Sequence, residues 1–291
     1  MANNQSNYMN SPDSGASVHA RRVLAYVVLI LVSFLCLFWF YLLFINSTRS
    51  NSELTKGFTP IPSKYLIQNW LNVKNGTLPI FTGMVNSLFV ATATAALATY
   101  FSTMTAYAIH AYDFKLKKFM FTFILMVMMI PTQVTALGFI QLIGKMKLDD
   151  SFTPLIIPAI ASPAVFFYMK QYMDSVLPLS LIEAARIDGS GELRTFNSIV
   201  VPLMKPAIAV QAIFSFVTSW NNYFTPALVL HTDSKKTLPI LIAQLRSADF
   251  LKFDMGQVYV MIAFSIFPVI VVYLLLSRFI VGGLTLGGVK G

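Results

Sequence analysis

Charge is scarce in this sequence: only 11% of its 291 residues are Asp, Glu, Lys or Arg, where soluble domains run near about 25%. With 56% hydrophobic residues and a mean hydropathy of +0.67, that scarcity excludes an ordinary soluble domain and describes a membrane protein. There is one cysteine, Cys36, inside an apolar run, so no disulfide framework or thiolate metal site is available and the residue reads as a small buried hydrophobe. The three histidines, His19, His110 and His231, fall in separate segments, without Ser-His-Asp or metal-ligand spacing. A phosphate-binding Gly-x-x-x-x-Gly-Lys-Ser/Thr is missing too. The nearest stretch, Gly283 to Gly288 followed by Val289, lacks the lysine and follows no strand, so the chain cannot bind and split ATP by itself. The apolar runs contain no Asp or Glu, and their cations Lys170 and Arg278 sit near run ends, where they can snorkel. A proton- or sodium-coupled carrier needs an intramembrane ionisable group, so this absence argues against a secondary transporter. No repeat with a period of about 20–50 residues is visible.

What the sequence has is apolar length. After a polar, Asn- and Ser-rich tail over residues 1–20 that reads as disordered, Arg21-Arg22 precede an uncharged run over 23–45. At about 1.5 Å per residue that run crosses a hydrocarbon core of about 30 Å, and it is too long for a signal-peptide core. Five further runs follow, at about 84–109, 119–143, 152–172, 207–230 and 257–280. The third is broken by Pro131, and the fourth carries Pro154, Pro158 and Pro163, which a span packed among other spans tolerates. Six spans put both termini on one side. Basic residues number 11 on the terminal side and 10 on the other, a near balance in which Arg21-Arg22 and Lys115, Lys117 and Lys118 favour termini inside. The formal charge of +9 is scattered rather than clustered, which fits anionic lipid headgroups and not nucleic acid.

The longest bracketed polar interval of the chain's second half, residues 173–205, reads as two short helices. Ser180 with Glu183 predicts a capping box and a helix start near Leu181; Gly189 supplies the left-handed stop. A second helix is expected to carry Leu193, Phe196, Ile199 and Val200 on one stripe, with Pro202 and Pro206 closing the unit and starting the next apolar run. The stretch Glu183-Ala184-Ala185-Arg186-Ile187-Asp188-Gly189, with Ile199, Val201 and Pro202 downstream, resembles the EAA loop of ABC importer permeases. With Trp220-Asn221-Asn222-Tyr223 and the tail Gly283 to Gly291, it is similar to the maltose-type (MalG-like) carbohydrate importers from Val23 onward. Val201 and Ser190-Gly191 are mild departures from the family pattern, where Leu and Ala are common.

That resemblance implies an all-α integral membrane protein with six transmembrane helices in the type I ABC importer permease (MetI-like) fold, in a bacterial plasma membrane with both termini and the 173–205 loop in the cytoplasm. It implies a translocation subunit rather than an enzyme, with no cofactor of its own, ATP being bound by partner ATPase subunits. The partners implied are a second permease forming a heterodimer, an ATPase dimer, an extracytoplasmic sugar-binding protein and membrane lipids. Glu183, Ala184, Ala185, Asp188, Gly189 and Pro202 would couple to the ATPase; alternatively Glu183 only caps its helix and Gly189 only ends it. Trp220, Asn221, Asn222 and Tyr223, and more weakly Gln133, have a polar-aromatic character that suits a sugar path, or else interhelical bonding or an interfacial belt. Gln244 and Arg246, in an apolar outer loop, would contact the binding protein; the other reading packs Ile240, Leu241 and Leu245 on the bundle. The glycine-rich tail would reach between ATPase subunits or simply fray. The alternatives in solute are glycerol phosphate or a polyamine, and in class a non-ATP carrier or channel.

Overall fold

The computed structural model describes residues 15–246 and 254–287, and among these the secondary structure is helical. Helix α1 (Gly15–Ser47) runs the length of the first apolar run and beyond it. Two short helices, α2 (Asn51–Leu54) and α3 (Leu66–Lys74), form a cap at its far end. There Ser50 and Glu53 make a capping box, each side chain satisfying a backbone donor that the helix start would leave unpaired. Helix α4 (Ile80–Ala111) follows, then α5 (Lys117–Met128) and α6 (Thr132–Lys145). The last two are bent by 98° where Pro131 intervenes. Proline disfavours helical backbone at the residue before it, so the apolar run cannot continue straight.

The next span is segmented: α7 (Thr153–Ile156), a 3₁₀ turn (Ile157–Ala161) and α8 (Pro163–Val176). Each of its prolines sits in the first turn of one of these pieces, where the missing N–H costs no helical bond. Helices α9 (Leu179–Ile187) and α10 (Glu192–Thr195) form the polar loop, and one π turn (Phe196–Val200) joins α10 to α11 (Val201–Trp220). The second loop helix is therefore the start of the next span: Pro202 lies in the first turn of α11 and Pro206 inside it, so neither closes the unit. That span ends at Trp220, ten residues before the end of the apolar run at 230; α12 (Phe224–Val229) is a separate short helix. Then come α13 (Leu238–Arg246) and α14 (Met255–Gly287). Among the described residues, five helices are long and apolar enough to cross a membrane, and the bent α5–α6 pair is a sixth, broken unit. Residues 15–20, expected in a disordered tail, are the first turns of α1, and residues 283–287 of the glycine-rich tail continue α14; the rest of the two tails, 1–14 and 288–291, lies outside the described residues.

Helix α4 is the central post, packed against α8, α11 and α13. Along its middle the buried face is small, with Ala91, Ala95, Ala98, Thr99, Ser102, Thr103 and Ala106, which lets backbones approach closely where lipid supplies no hydrophobic drive. The hydroxyls of Thr99 and Thr103 donate back to the carbonyls of Ala95 and Thr99, so they are buried with partners. Near the start of α4, Gly83 faces Leu241 of α13, and a Cβ there would fall 2.4 Å from Leu241 Cδ1. Helix α1 stands apart, touching mainly α14, with most of its apolar side chains exposed. Cys36 is among them, so it is not a buried residue of this chain.

Candidate coupling loop and translocation groove

The loop begins on Pro178, whose φ of −66° leads directly into α9. The helix starts at Leu179 with no side-chain cap, so the expected capping box of Ser180 and Glu183 does not form. Glu183 stands exposed on the helix surface. Ile182 and Ala185 face inward at 1% and 6% exposure, while Ala184, Ile187 and Asp188 face out. The helix ends in a Schellman turn: Ser190 N–H donates to Ala185 O at 2.9 Å and Gly189 N–H to Arg186 O at 3.0 Å. Gly189 takes φ +78°, with nothing within 4 Å of where a Cβ would sit. One side chain departs from its expected place on the stripe. Leu193, expected on a buried stripe, is 70% exposed, and Ile187 is 86% exposed, so together they flank the glycine elbow as an apolar knob. Of the expected stripe, Phe196 and Val200 are buried and Ile199 is half-buried.

The knob is tied to the near end of α4 on both sides. Before α9, His110 lies 2.8 Å from Asp174 through Nδ1 and 2.9 Å from the Leu177 carbonyl through Nε2. After it, the Tyr107 hydroxyl donates to Glu192 Oε2 and Arg186 Nε to Glu192 Oε1, each at 2.8 Å. The Arg186 guanidinium also lies over the Tyr112 ring, 5.0 Å from its centroid. The hydrogen bond to Glu192 holds the Arg186 pKa above its ordinary value, and burial raises that of Tyr112. None of these partners is a neighbour in sequence, so only the fold reveals the tie.

Where the helices break, the bundle opens. A cavity of about 550 Å³ lies among the start of α6, α7 and α12, with the hydroxyls of Ser87, Thr132, Thr135, Ser219 and Thr225 at its wall. A second, of about 740 Å³, continues along α11 and α8 past Thr94, Ser162, Gln211, Ser215 and Thr218. Asn222 and Ser219 line both, so the two form one groove, and no Asp, Glu, Lys, Arg or His is among its lining residues. Asn222 accepts the Thr225 N–H through Oδ1 at 3.3 Å, which turns the chain from α11 into α12.

The Trp-Asn-Asn-Tyr cluster is thus not inside a helix but at its end, and the structure splits it. Trp220 is 3% exposed and stacks on Phe216, and with Asn221 and Tyr223 it lines a different cavity of about 650 Å³ beside Ile242, Arg246 and Ser265. Gln133 is exposed and lines neither part of the groove, although its neighbours Thr132 and Thr135 do. The hydroxyls that make most of the polar wall had no motif to announce them; the signal available, for Thr132, Ser162 and Thr225 alone, was their place beside Pro131, Pro163 and Pro226.

At the far end, the apolar residues of α13 form no open patch: Leu238, Ile240 and Leu241 are buried. Gln244 is half-buried and Arg246 exposed. The loop before α13 is pinned by Asp150, which accepts from His231 N–H at 2.9 Å, Thr232 N–H at 3.0 Å, the Thr232 hydroxyl at 2.6 Å and Lys235 Nζ at 3.1 Å. The Thr232 hydroxyl is the first cause of the depressed Asp150 pKa, followed by the two backbone donors. Asn86 adds bonds to the carbonyls of Ser234 and Lys236 at 2.9 and 3.0 Å.

Comparison with known proteins places this geometry. Residues 98–284 match the family described as binding-protein-dependent transport system inner membrane component. The chain is similar to the arabinooligosaccharides transport system permease protein AraQ of Bacillus subtilis (strain 168), 35% identical over 276 residues that cover 93% of this chain and 96% of that one. It is 32% identical over 268 residues, 90% of this chain and 95% of the other, to the sn-glycerol-3-phosphate transport system permease protein UgpE of Yersinia pestis. A chain in the crystal structure of a bacterial ABC transporter involved in the import of the acidic polysaccharide alginate shares the fold, with a TM-score of 0.77 at 22% identity over 92% of this chain and 99% of that one. The chain belongs to the binding-protein-dependent inner-membrane component family and is a multi-pass permease subunit of an ATP-binding-cassette importer, a translocating rather than a catalytic part.

Proposed function

We propose that this chain forms half of the path through which an uncharged carbohydrate, of the oligosaccharide class named for its 35%-identical relative, enters the cell. The groove carries the reading. Its wall offers hydroxyls and amides that exchange hydrogen bonds with sugar hydroxyls, with apolar surface between them. It offers no counter-charge. A phosphate-bearing solute would leave its charge uncompensated on this side, which costs several kcal/mol in a site shielded from water. Glycerol phosphate, named for the second set of relatives, is therefore disfavoured. The second half of the path belongs to a related permease.

The driving force comes from an ATPase dimer that binds the nucleotide, this chain needing no cofactor. It docks on the knob of Ile187 and Leu193 with Glu183, Ala184, Asp188 and Gly189, an exposed apolar surface ringed by polar groups, the kind that marks a protein contact. Ala185 and Pro202 act from beneath, Ala185 as a buried small seat and Pro202 as the stiff start of α11. On this reading the loop and both termini are cytoplasmic, and Gln244 and Arg246 face an extracytoplasmic binding protein. The test is the whole importer in proteoliposomes with its binding protein outside and ATP inside. Uptake of neutral oligosaccharide, with no competition from glycerol 3-phosphate, is the expected result. Uptake of glycerol 3-phosphate without saccharide uptake overturns the substrate assignment.

A further inference from the structure

The segment between α2 and α3 makes a loop whose purpose no other contact explains. Its two roots lie together at the end of α1. Gly57 O accepts from Arg49 Nη2 at 3.0 Å, and Ser63 N–H donates to the Thr48 hydroxyl at 2.8 Å. Tyr65 N–H donates to Thr48 O at 2.9 Å, and the Ser63 hydroxyl bonds Glu53 at 3.1 Å. Between those roots the chain does not rise away from the bundle. It folds back along α1, where the Tyr41 hydroxyl donates to the Pro60 carbonyl. Tyr41 lies six residues before the last residue of α1, which is about 9 Å of helix rise back toward the membrane interior.

The composition of the loop fits that position. Phe58 and Ile61 stand at its tip, 67% and 69% exposed, and Pro60 and Pro62 are exposed beside them. Lys56 and Lys64 stand exposed at the two roots. The α1 surface running beside the loop is also bare and apolar, with Phe40, Tyr41 and Phe44 each 45–51% exposed. Aromatic and aliphatic side chains at a tip, cations about its base and continuity with a lipid-facing helix are the chemistry of a bilayer interface, where tails take the apolar tip and phosphates the lysines.

We propose that the Gly57–Pro62 loop is a membrane wedge: Phe58 and Ile61 insert into the acyl boundary of the leaflet at the far end of α1, and Lys56 and Lys64 pair with lipid phosphates above them. The wedge fixes the α2–α3 cap at the bilayer surface, at a set height beside the mouth of the bundle. The occupant is lipid, and it depends on the family assignment only for the chain being in a membrane.

The assembled importer, carrying Cys36→Ala so that labelling is single-site, would be placed in nanodiscs of equal parts phosphatidylcholine and phosphatidylglycerol. A nitroxide would be attached at Phe58→Cys, Ile61→Cys or, as a cap control, Ser52→Cys. Collisions with oxygen, concentrated in lipid, should exceed those with a water-soluble nickel chelate several-fold at 58 and 61, with the reverse at 52. Chelate-dominated collisions at 58 and 61 would place the loop in water and overturn the proposal. Shielding from both reagents would mean that a protein, the second permease or the binding protein, covers the loop, and that also overturns it. Adding Lys56→Glu and Lys64→Glu should lower the oxygen-to-chelate ratio at 61 several-fold in the anionic discs; an unchanged ratio removes the lysines from the proposal.

Discussion

Gly189 offers the sharpest test of how the loop works, because the structure separates backbone strain from steric collision there. Its φ is +78°, and no atom lies within 4 Å of a Cβ built on it. A side chain at 189 therefore meets open space, and its cost is conformational alone. For alanine that cost is about 1–2 kcal/mol; for a β-branched residue it lies toward the top of the range of about 1–3 kcal/mol for strained backbone; asparagine, several-fold enriched in this region, pays less. An energy of about 1–2 kcal/mol is a factor of about 5–30 in population, so Gly189→Ala should deplete the native elbow by that factor and Gly189→Val by more. Global stability should hold, since the elbow is exposed and the turn buries little. The assay is solute uptake and stimulated ATP hydrolysis in proteoliposomes, alongside thermal unfolding and pull-down of assembled complex. Coupling should fall in the order Gly, Asn, Ala, Val while assembly yield and unfolding temperature stay level. If Val transports like Gly, the elbow conformation is irrelevant. If Asn is as poor as Val, the loss is steric exclusion of the partner and the strain reasoning is wrong.

Three more outcomes follow from the geometry. Tyr107→Phe keeps the ring beside Phe196 at 5.8 Å but removes a buried hydroxyl bonded to a carboxylate, a loss of about 1.5–3 kcal/mol in the seating of the loop. Arg186→Ala should cost less than about 1 kcal/mol, because that ion pair is 36% and 42% exposed. Unfolding measurements that rank them the other way contradict the tie as described. Asp150 has a depressed folded pKa, so its contribution is present above the ordinary carboxylate value of about 3.9 and is lost as pH falls through the folded value. Asp150→Asn should lower the unfolding temperature at neutral pH and flatten its fall below about pH 4; an unchanged acid limb would show that another group sets it. In a Cys36→Ala background, a membrane-impermeant thiol reagent should label Ser234→Cys in intact cells, and Ser180→Cys only after the membrane is opened. Both side chains are exposed, so the reverse pattern would mean that the bundle is inverted.

Hydropathy and a few punctuating residues carried most of the class assignment. Pro131 announced a break, and the break is a 98° bend. The Ser180 and Glu183 pattern suggested a capping box, but α9 starts earlier, on Pro178, which puts Ser180 inside the first turn; a capping box does form at Ser50 and Glu53, on the separate helix α2. Leu193 shares a stripe with Phe196 and Val200 by spacing, but Phe196 and Val200, within the π turn, are buried while Leu193, before it, faces out. The outer helix α13 allowed two readings, an apolar surface for a partner or packing on the bundle; Leu241 packs in the same chain, against Gly83 and its neighbours, as the second has it.

What the sequence determined by itself is therefore the solvent and the general trade of the protein: spans of bilayer length, no intramembrane carboxylate, no nucleotide motif, and a glycine-ended loop helix. Those are local properties, written in composition and short-range spacing, because a hydrocarbon core imposes length and polarity on each span separately. Only the tertiary structure decided which polar groups share a space. Asn222 faces the charge-free groove while Trp220, Asn221 and Tyr223 face another cavity, and Tyr107 meets Glu192 from 85 residues away. The direction of a side chain at a helix end is set by how helices cross and where they break, which is a property of packing among distant segments and has no periodicity along the chain to reveal it.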